Sequence, residues 1–317
     1  MSEVLVETKN LKKYFPTKRG LVHAVDGVNL QIREGETLGV VGESGCGKST
    51  LGRTVVRLYE PTEGDVHFKG KSILGLRGKA FRQVQTGMQM IFQDPYSSLN
   101  PRMSVFDLIA EPLRVCKTVS GKGALLDKTR STMEQCGLPV RFDNVYPHEM
   151  DGGRRQRVGL ARALVLDPQF IVCDEPVSAL DVSIQAQILN LLMDLQEKNN
   201  LSYMFITHDL CVVRHISNDI MVMYMGHVVE YASRDDIFIR PTHPYTKALL
   251  AAIPTIDLDR RNRERQVLSG EVSNPINPAP GCRFMPRCPY ASDKCKEDQP
   301  LLEVAPSHFV ACHECAK

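Results

Sequence analysis

Residues 42–50 read Gly42-Glu43-Ser44-Gly45-Cys46-Gly47-Lys48-Ser49-Thr50 and fit the phosphate-binding pattern G-x-x-x-x-G-K-[ST] at every fixed position. The apolar segment 37–41 predicts a short buried strand before them, and segment 51–58 predicts a helix after them. In this context the glycines let backbone N–H groups converge on phosphate oxygens, and the helix N-terminus adds partial positive charge. The stretch therefore predicts nucleotide binding, and a chance glycine-rich turn is the weaker alternative.

The motif also predicts individual roles. Lys48 is expected to reach the β- and γ-phosphates, and the Ser49 hydroxyl is expected to ligate Mg²⁺. The other loop residues expected to contact the nucleotide are Gly42, Ser44, Gly45, Cys46, Gly47 and Thr50. Upstream of the loop, Phe15 or Tyr14 is a candidate to stack on an adenine ring, although an aromatic residue at this spacing is more often part of a core.

The composition describes a globular protein. The 317 residues suffice for one large domain with an appendage or for two modest domains, and 43% of them are hydrophobic. A net charge of +2, with basic residues spread along the chain, gives no electrostatic reason to expect nucleic acid as a partner. No apolar run reaches the roughly 18 to 20 residues that cross a bilayer, and the N-terminus lacks an export signal. We therefore expect a cytoplasmic chain.

A second candidate site follows the apolar segment 170–173, which ends in Asp174 and Glu175. Two carboxylates at the carboxyl end of a buried strand are costly unless they have a function. The pair predicts that Asp174 holds Mg²⁺, directly or through water, and that Glu175 polarises the water that attacks the γ-phosphate. The alternative, that these acids cap a helix, is weaker because a phosphate loop lies about 125 residues upstream.

Hydrophobic periodicity predicts further strands and helices after this pair. One face of a helix contains Ile184, Ile188, Leu191, Leu192 and Leu195, and the helix is expected to end near residues 199–200. Segment 203–207 predicts a buried strand that places His208 near the γ-phosphate, and segments 221–225 and 228–231 predict a hairpin. This alternation predicts an α/β fold with a mostly parallel central sheet.

The stretch Glu149-Met150-Asp151-Gly152-Gly153-Arg154-Arg155-Gln156-Arg157 resembles the signature motif of ATP-binding-cassette (ABC) ATPases. The chain also has the family's other elements in the right order. These are the phosphate loop, Gln93 as the Q-loop glutamine, the acidic pair Asp174-Glu175, a D-loop at residues 178–181 and His208 as the switch histidine. The resemblance covers residues 1 to about 240.

This resemblance implies an ABC-type P-loop nucleotide-binding domain with a mixed central sheet and a helical subdomain. The family works as a head-to-tail dimer, in which each ATP lies between one subunit's phosphate loop and the other's signature. The implied catalytic residues are Lys48, Gln93, Glu175 and His208, and Gln93 is also an implied Mg²⁺ ligand beside Ser49 and Asp174. The further implied nucleotide contacts are Asp151, Gly152, Gly153, Arg154, Asp174 and Asp181.

A closer resemblance is to the ATPase subunits of bacterial dipeptide and oligopeptide importers, which share much of their pattern with nickel importers. It rests on residues 94–101 and 240–250. It implies an ATPase domain over residues 1–237, with a helical subdomain at about 95–165, and a small cysteine-rich C-terminal extension over residues 238–317. The implied function is ATP hydrolysis coupled to peptide import. The alternatives are a nickel-importer ATPase, a soluble ABC ATPase of DNA repair or translation, and an iron–sulfur regulatory protein.

The resemblance also implies partners. These are a paralogous ATPase subunit, two membrane permease subunits and, indirectly, an extracytoplasmic peptide-binding protein, with this chain on the cytoplasmic face of the cell membrane. No nucleic acid partner is expected.

The signature departs from the family pattern L-S-G-G-Q because Asp151 replaces a serine that donates to the partner's γ-phosphate. Two unit negative charges about 4 Å apart repel by roughly 4 kcal/mol at an effective dielectric constant of about 20. Arg154 replaces a neutral glutamine and is expected to compensate in part. Protonation of Asp151 and a side chain turned away from the phosphate are the alternatives. The departure predicts a heterodimer with a paralogous ATPase, in which the site that uses Asp151 hydrolyses ATP poorly.

Five of the ten cysteines lie in the last 36 residues, in a proline-rich stretch where a staple is physically reasonable. Zinc usually prefers C-x2-C pairs, which only Cys312 and Cys315 offer. Importer ATPases have a similar four-cysteine pattern implicated in [4Fe–4S] binding. That resemblance implies a [4Fe–4S] cluster on Cys282, Cys288, Cys295 and Cys312, with Cys315 spare. Zinc, plain thiols and disulfides remain alternatives.

Overall fold

A computed structural model describes residues 3–253 and 275–315, and these form two compact units. The described part of the first unit comprises residues 3–7, 31–36 and 66–206. That of the second comprises residues 8–30, 37–65, 207–253 and 275–315. None of the helices in these ranges is long and apolar enough to cross a membrane.

The described residues form strands and helices in alternation. The strands are β1 (Val4–Thr17), β2 (Gly20–Arg33), β3 (Thr37–Val41), β4 (Glu63–Phe68), β5 (Lys71–Ser72), β6 (Met88–Ile91), β7 (Phe170–Asp174), β8 (Ser202–Ile206), β9 (Asp219–Tyr224), β10 (His227–Ser233), β11 (Leu302–Ala305) and β12 (His308–Val310). The helices are α1 (Lys48–Val55), α2 (Gly78–Gly87), α3 (Pro95–Ser98), α4 (Val105–Cys116), α5 (Lys122–Gln135), α6 (Gly152–Leu164), α7 (Val182–Asn199), α8 (Leu210–Ile216), α9 (Arg234–Ile239) and α10 (Pro244–Ala251).

The first unit contains three parallel strands, with β7 between β6 and β8. Every residue of β7 and β8 is buried, which explains their continuous apolar sequences because parallel strands are covered on both faces. The predicted strands at 170–173 and 203–207 are thus confirmed. Helix α7 buries Ile188, Leu192 and Leu195, and it ends before Asn200, which has a left-handed φ of 50°. This end matches the predicted one.

The second unit contains a mixed arrangement of strands. Strand β3 pairs parallel with β9, and the remaining pairs, β9 with β10, β10 with β12, and β12 with β11, are antiparallel. The β9–β10 pair is the predicted hairpin, with Tyr224 opposite His227. Helix α1 is shorter than predicted, and Arg57, just beyond its end, has a φ of 57° that helical backbone does not adopt.

In the second unit, aromatic side chains of the hairpin and of the C-terminal region pack together and form part of the core. The rings of Tyr224 and Tyr245 are 4.8 Å apart, and the ring of Phe284 lies 5.3 Å from Tyr224 and 5.4 Å from Tyr245. All three side chains are buried. The phosphate loop and the described part of the C-terminal region therefore belong to one compact unit.

Candidate nucleotide-binding site

The phosphate loop lies in the second unit, between β3 and α1. Lys48 is 4% exposed, and its Nζ atom donates to the backbone oxygens of Gly42 at 2.7 Å and Glu43 at 2.9 Å. Helix α1 begins at Lys48, and the N–H of Leu51 donates to the oxygen of Gly47 at 2.8 Å. The ammonium group is thus held inside the loop, at the N-terminus of a helix.

Two loop glycines are required by close backbone contacts. A Cβ atom on Gly42, where φ is +151°, would lie 2.2 Å from the oxygen of Met223. One on Gly47, where φ is +106°, would lie 1.9 Å from the oxygen of Ala24. The N–H of Gly226 also donates to the oxygen of Cys46 at 2.8 Å, so the loop is fixed against the β9–β10 hairpin.

The loop's groups fit a triphosphate and its metal ion. There is no acidic side chain in the first turn of α1, so the positive end of the helix dipole is not neutralised there. Ser49 lies in that turn, and a hydroxyl oxygen is a hard ligand that suits Mg²⁺. Lys48 and Ser49 are therefore the residues that would hold the phosphates and the ion at this loop.

The acidic pair lies in the first unit, at the end of β7. Asp174 is fully buried, and its carboxylate oxygens are the ligand type that Mg²⁺ prefers. Glu175 is half-buried and has a left-handed φ of 46°, and its N–H donates to the oxygen of Ile206 at 2.9 Å. Such backbone strain, of about 1–3 kcal/mol, is typical of functional sites. The Nε2 of Gln93 donates to the Oε2 of Glu175 at 2.8 Å, so the structure brings these two predicted residues together.

Asp151, the departure in the signature, is the N-cap of α6. Its Oδ1 accepts the N–H of Arg154 at 2.8 Å, and the Nη1 of Arg154 lies 3.4 Å from Oδ2. A Cβ atom on Gly153 would lie 2.7 Å from the Cγ2 of Ile184 on α7, which explains the need for glycine there. The aspartate therefore keeps the capping role that a serine would have, adds a charge, and has Arg154 beside it.

The D-loop aspartate and the switch histidine each stand at the start of a helix. Asp181 caps α7 and accepts the N–H of Ile184 at 3.0 Å and the hydroxyl of Ser183 at 2.7 Å. These hydrogen bonds lower the pKa of Asp181, and the one from the N–H of Ile184 has the largest effect. His208 is exposed and lies just before α8, whose N-cap is Asp209.

The two candidate adenine-stacking residues are both engaged within the second unit. The ring of Tyr14 stacks on His23 at 4.0 Å, and its hydroxyl donates to Asp26. Burial alone would raise the pKa of Asp26, but hydrogen bonds from His227, Tyr14 and His23 hold it well below its usual range. The ring of Phe15 contacts Tyr59 edge to face at 5.5 Å. Adenine stacking by either residue stays a prediction.

Two arginines of α6 contact the segment that follows Gln93, and sequence reasoning missed both. The guanidinium of Arg155 lies 3.8 Å from the ring centroid of Tyr96. The Nη1 of Arg162 donates to the backbone oxygen of Ser98 at 2.6 Å. Arg155 is buried and Arg162 is half-buried, and a seven-residue spacing places them on one helix face. That spacing was the only signal available in the sequence.

The C-terminal cysteines are free thiols in this structure, and the described residues contain no group of three or more His, Cys, Asp or Glu side chains arranged to hold a metal ion. Burial raises the pKa of Cys282 to about 11, and the charges of Cys295 and Cys312 add to this effect. A hydrogen bond with Cys315 lowers the pKa of Cys312. The thiols are thus within electrostatic reach of one another, without forming a ready metal site.

Comparisons with known proteins agree with this geometry. Residues 25–178 match the family model described as ABC transporter, and residues 229–295 match the one described as oligopeptide/dipeptide transporter, C-terminal region. The chain is 49% identical to the oligopeptide transport ATP-binding protein OppF of Salmonella typhimurium, over 98% of this chain and 96% of that protein. It is 50% identical to AppF, an oligopeptide transport ATP-binding protein of Bacillus subtilis, over 98% and 97% of the two chains.

A solved structure is similar as well. The ATP-binding cassette MJ0796, determined as a dimer in a post-hydrolysis state bound to ADP and Pi, superposes with a TM-score of 0.66 and 28% identity. The match covers 73% of this chain and 99% of that one. The predicted α/β fold of the cassette type is confirmed.

Proposed function

The chain belongs to the ATP-binding subunits of the bacterial dipeptide and oligopeptide ABC transporter family, and we propose that its ATP hydrolysis drives peptide import through a membrane complex. ABC ATPases of this family bind and hydrolyse ATP. The observation that carries the proposal is the hydrogen bond between Gln93 and Glu175, in a chain that also has an intact phosphate loop. Near-identical length and about half identity to oligopeptide transport proteins support peptides as cargo.

The residues divide the work by their chemistry. Lys48 and the loop amides bind the phosphates, and Mg²⁺ would neutralise phosphate charge. Ser49 and Asp174 each offer the kind of oxygen ligand that such an ion prefers. Glu175, oriented by Gln93, accepts the proton of the attacking water, and His208 contacts the γ-phosphate. Higher affinity for ATP in a closed dimer than in an open one supplies the energy for movement.

Transmission to the membrane follows the segment after Gln93. Arg155 and Arg162 tie this segment to α6, whose N-terminus carries the signature. Two permease subunits would contact this region on the cytoplasmic side of the membrane, and an extracytoplasmic binding protein would deliver the peptide. A change at the signature would then reach the permeases through one helix.

The test is ATP hydrolysis by the complete transporter in proteoliposomes. Peptide-loaded binding protein is expected to stimulate hydrolysis and to drive peptide uptake, and both are expected to be lost in Lys48→Ala. Nickel-dependent stimulation without any response to peptides would instead support a nickel importer. Full activity without membrane subunits would overturn a transport function.

We propose further that the chain pairs with a paralogous ATPase, because a homodimer would place Asp151 at both ATP sites. Asp151→Ser keeps an N-cap acceptor while it removes the charge, and Asp151→Asn does the same with a different cap. Both variants are expected to raise the ATPase rate of the assembled complex. An unchanged or lower rate in both would contradict the proposed asymmetry, and a complex with two copies of this chain would contradict the pairing.

The four-cysteine pattern leads us to propose a [4Fe–4S] cluster on Cys282, Cys288, Cys295 and Cys312. Because the free thiols do not form a ready site, their side chains would have to rearrange on binding. About four irons and four sulfides per chain are expected in protein purified without oxygen, with loss in Cys288→Ser. Zinc alone, or no metal, would contradict the cluster. The assignment of the chain as an ATPase does not depend on this result.

A further inference from the structure

We propose that Arg287 and Tyr245, both in the C-terminal region, are positioning residues for the phosphate loop and act through Glu43. Glu43 occupies a position of the phosphate-binding pattern that any residue can fill, so the motif itself assigns it no role. The C-terminal region would thus contribute to ATP affinity without touching the nucleotide. This requires only that the chain binds ATP, whatever cargo the complex carries.

The carboxylate of Glu43 makes a two-point contact with Arg287. The distances are 2.7 Å from Nη1 to Oε2 and 3.0 Å from Nη2 to Oε1. The side chain of Arg287 is only 6% exposed, and the hydrogen bond to Glu43 raises its pKa against the effect of burial. A bidentate contact to a largely desolvated arginine fixes both the place and the orientation of the carboxylate.

The backbone of Glu43 is held separately. Its N–H donates to the hydroxyl oxygen of Tyr245 at 2.8 Å. Tyr245 is fully buried against Tyr224 and Phe284, and burial raises its pKa, so the hydroxyl stays neutral. The position of this oxygen is therefore set by the aromatic core that the hairpin and the C-terminal region share, rather than by the loop.

Glu43 is in turn linked to the catalytic lysine. Its backbone oxygen accepts a hydrogen bond from the Nζ of Lys48 at 2.9 Å and from the N–H of Cys46 at 3.3 Å. One residue thus has its carboxylate held by Arg287, its N–H by Tyr245, and its oxygen by Lys48 and Cys46. If Arg287 or Tyr245 is removed, the oxygen that orients Lys48 is free to shift, and phosphate binding weakens because small displacements of binding groups are costly.

A second contact from the same C-terminal segment supports this link. Arg283 donates to the carboxylate of Asp26 and to the oxygen of Met225. The N–H of Asp26 donates to the oxygen of Gly226 at 2.9 Å, and Gly226 holds Cys46 of the loop. Segment 283–287 therefore contacts both the loop and the turn that supports it.

The test uses the full-length chain with three single variants, Arg287→Met, Tyr245→Phe and Glu43→Gln, and the double variant of Arg287 and Glu43. The control is Arg234→Met, since Arg234 contacts Asp235 at the surface. The measurements are the Kd for Mg-ATP by equilibrium binding, KM and kcat for hydrolysis, and the Tm without nucleotide. A merely structural role would lower Tm and leave Kd unchanged among the folded molecules.

We expect Kd and KM to rise about tenfold in Arg287→Met and about fivefold in Tyr245→Phe, with kcat within about twofold of wild type and the control unchanged. The Kd of the double variant should be no higher than that of the weaker-binding single variant, because both changes remove the same contact between Arg287 and Glu43. A Kd within about twofold of wild type in folded Glu43→Gln and Tyr245→Phe, or additive losses in the double variant, would overturn the proposal. If Arg287→Met does not fold, the other two variants decide. Peptide stimulation is not measured here, so failure leaves the transport function intact.

Discussion

The Nε2 atom of Gln93 donates a hydrogen bond to the Oε2 atom of Glu175 at 2.8 Å. Strand register explains this contact, because Ile91 pairs with Cys173 in the parallel strands β6 and β7. Gln93 and Glu175 each follow two residues after one member of that pair. Glu175 also has its left-handed φ at this point. At the ends of two neighbouring strands, the side-chain amide of Gln93 is thus held against the carboxylate of Glu175, whose backbone is strained.

The first prediction concerns Glu175 as the base. Glu175→Gln keeps the size of the side chain and removes the proton acceptor, so we expect kcat to fall by about 10²–10⁴-fold with little change in the Kd for ATP. Single-turnover hydrolysis and equilibrium binding on the same preparation would measure both quantities. A loss of binding equal to the loss of rate would mean that Glu175 holds the nucleotide rather than activating water.

Much of the fold follows from the sequence because long apolar runs and periodic faces decide it locally. The fully buried strands β7 and β8 read as continuous apolar segments, and α7 shows its buried face at helical spacing. The phosphate loop was predictable because it fits the motif at every fixed position, and close backbone contacts require two of its glycines, Gly42 and Gly47. Strand β1 was harder, since it continues to Thr17 through a polar stretch that lacks alternation.

The contacts of Glu43 could not be predicted in the same way. Its partner Arg287 is 244 residues distant in sequence, and it lies in a proline-rich stretch without periodicity. The pattern around Glu43 tolerates any residue at that position. The contact of Arg155 with Tyr96 is similar, because a cation over a ring depends on tertiary packing, and the helical spacing of Arg155 and Arg162 does not indicate which ring is contacted.

The second prediction compares two glycines of the loop. Gly47→Ala places a Cβ atom 1.9 Å from the oxygen of Ala24, whereas Gly45→Ala, at a φ of +79°, meets nothing within 4 Å. Gly45→Ala should therefore lose only about 1 kcal/mol of stability from backbone strain, and Gly47→Ala about 3 kcal/mol or more. Urea unfolding without nucleotide measures the difference. Equal losses would show that the loop relaxes freely around Gly47.

The third prediction concerns pH. Burial, with a smaller effect of Lys247, lowers the pKa of His243 to about 3, and its Nδ1 accepts the N–H of Tyr245 at 3.1 Å. In the unfolded chain the pKa is near 6.5, so between these values the unfolded state binds a proton that the native state does not. Stability should fall by about 2 kcal/mol from this residue between pH 7 and about pH 5.

His243→Asn removes this titration and keeps an acceptor at the helix N-cap. The free energy of unfolding is measured in urea at both pH values. Its decrease from pH 7 to about pH 5 should be smaller in the variant than in wild type, by about 2 kcal/mol. The other histidines are present in both proteins and cancel in the comparison. Parallel pH profiles for the two proteins would mean that His243 is not held neutral.

The last prediction concerns the contact between Tyr96 and Arg155. Tyr96 is 64% exposed, while Arg155 is 7% exposed and its Nε donates to the oxygen of Pro147 at 2.6 Å, close to the signature. An exposed ring that rests on a fixed cation can transmit movement of a membrane partner to α6. Tyr96→Ala should therefore lower peptide-stimulated ATPase activity of the complex by about fivefold, with basal activity unchanged. Tyr96→Phe keeps the ring and should retain stimulation, since the hydroxyl is not part of the contact. If Tyr96→Phe loses as much stimulation as Tyr96→Ala, the permeases contact the hydroxyl and not the stacked ring. If neither variant loses stimulation, coupling follows another route, such as the hydrogen bond from Arg162 to the oxygen of Ser98.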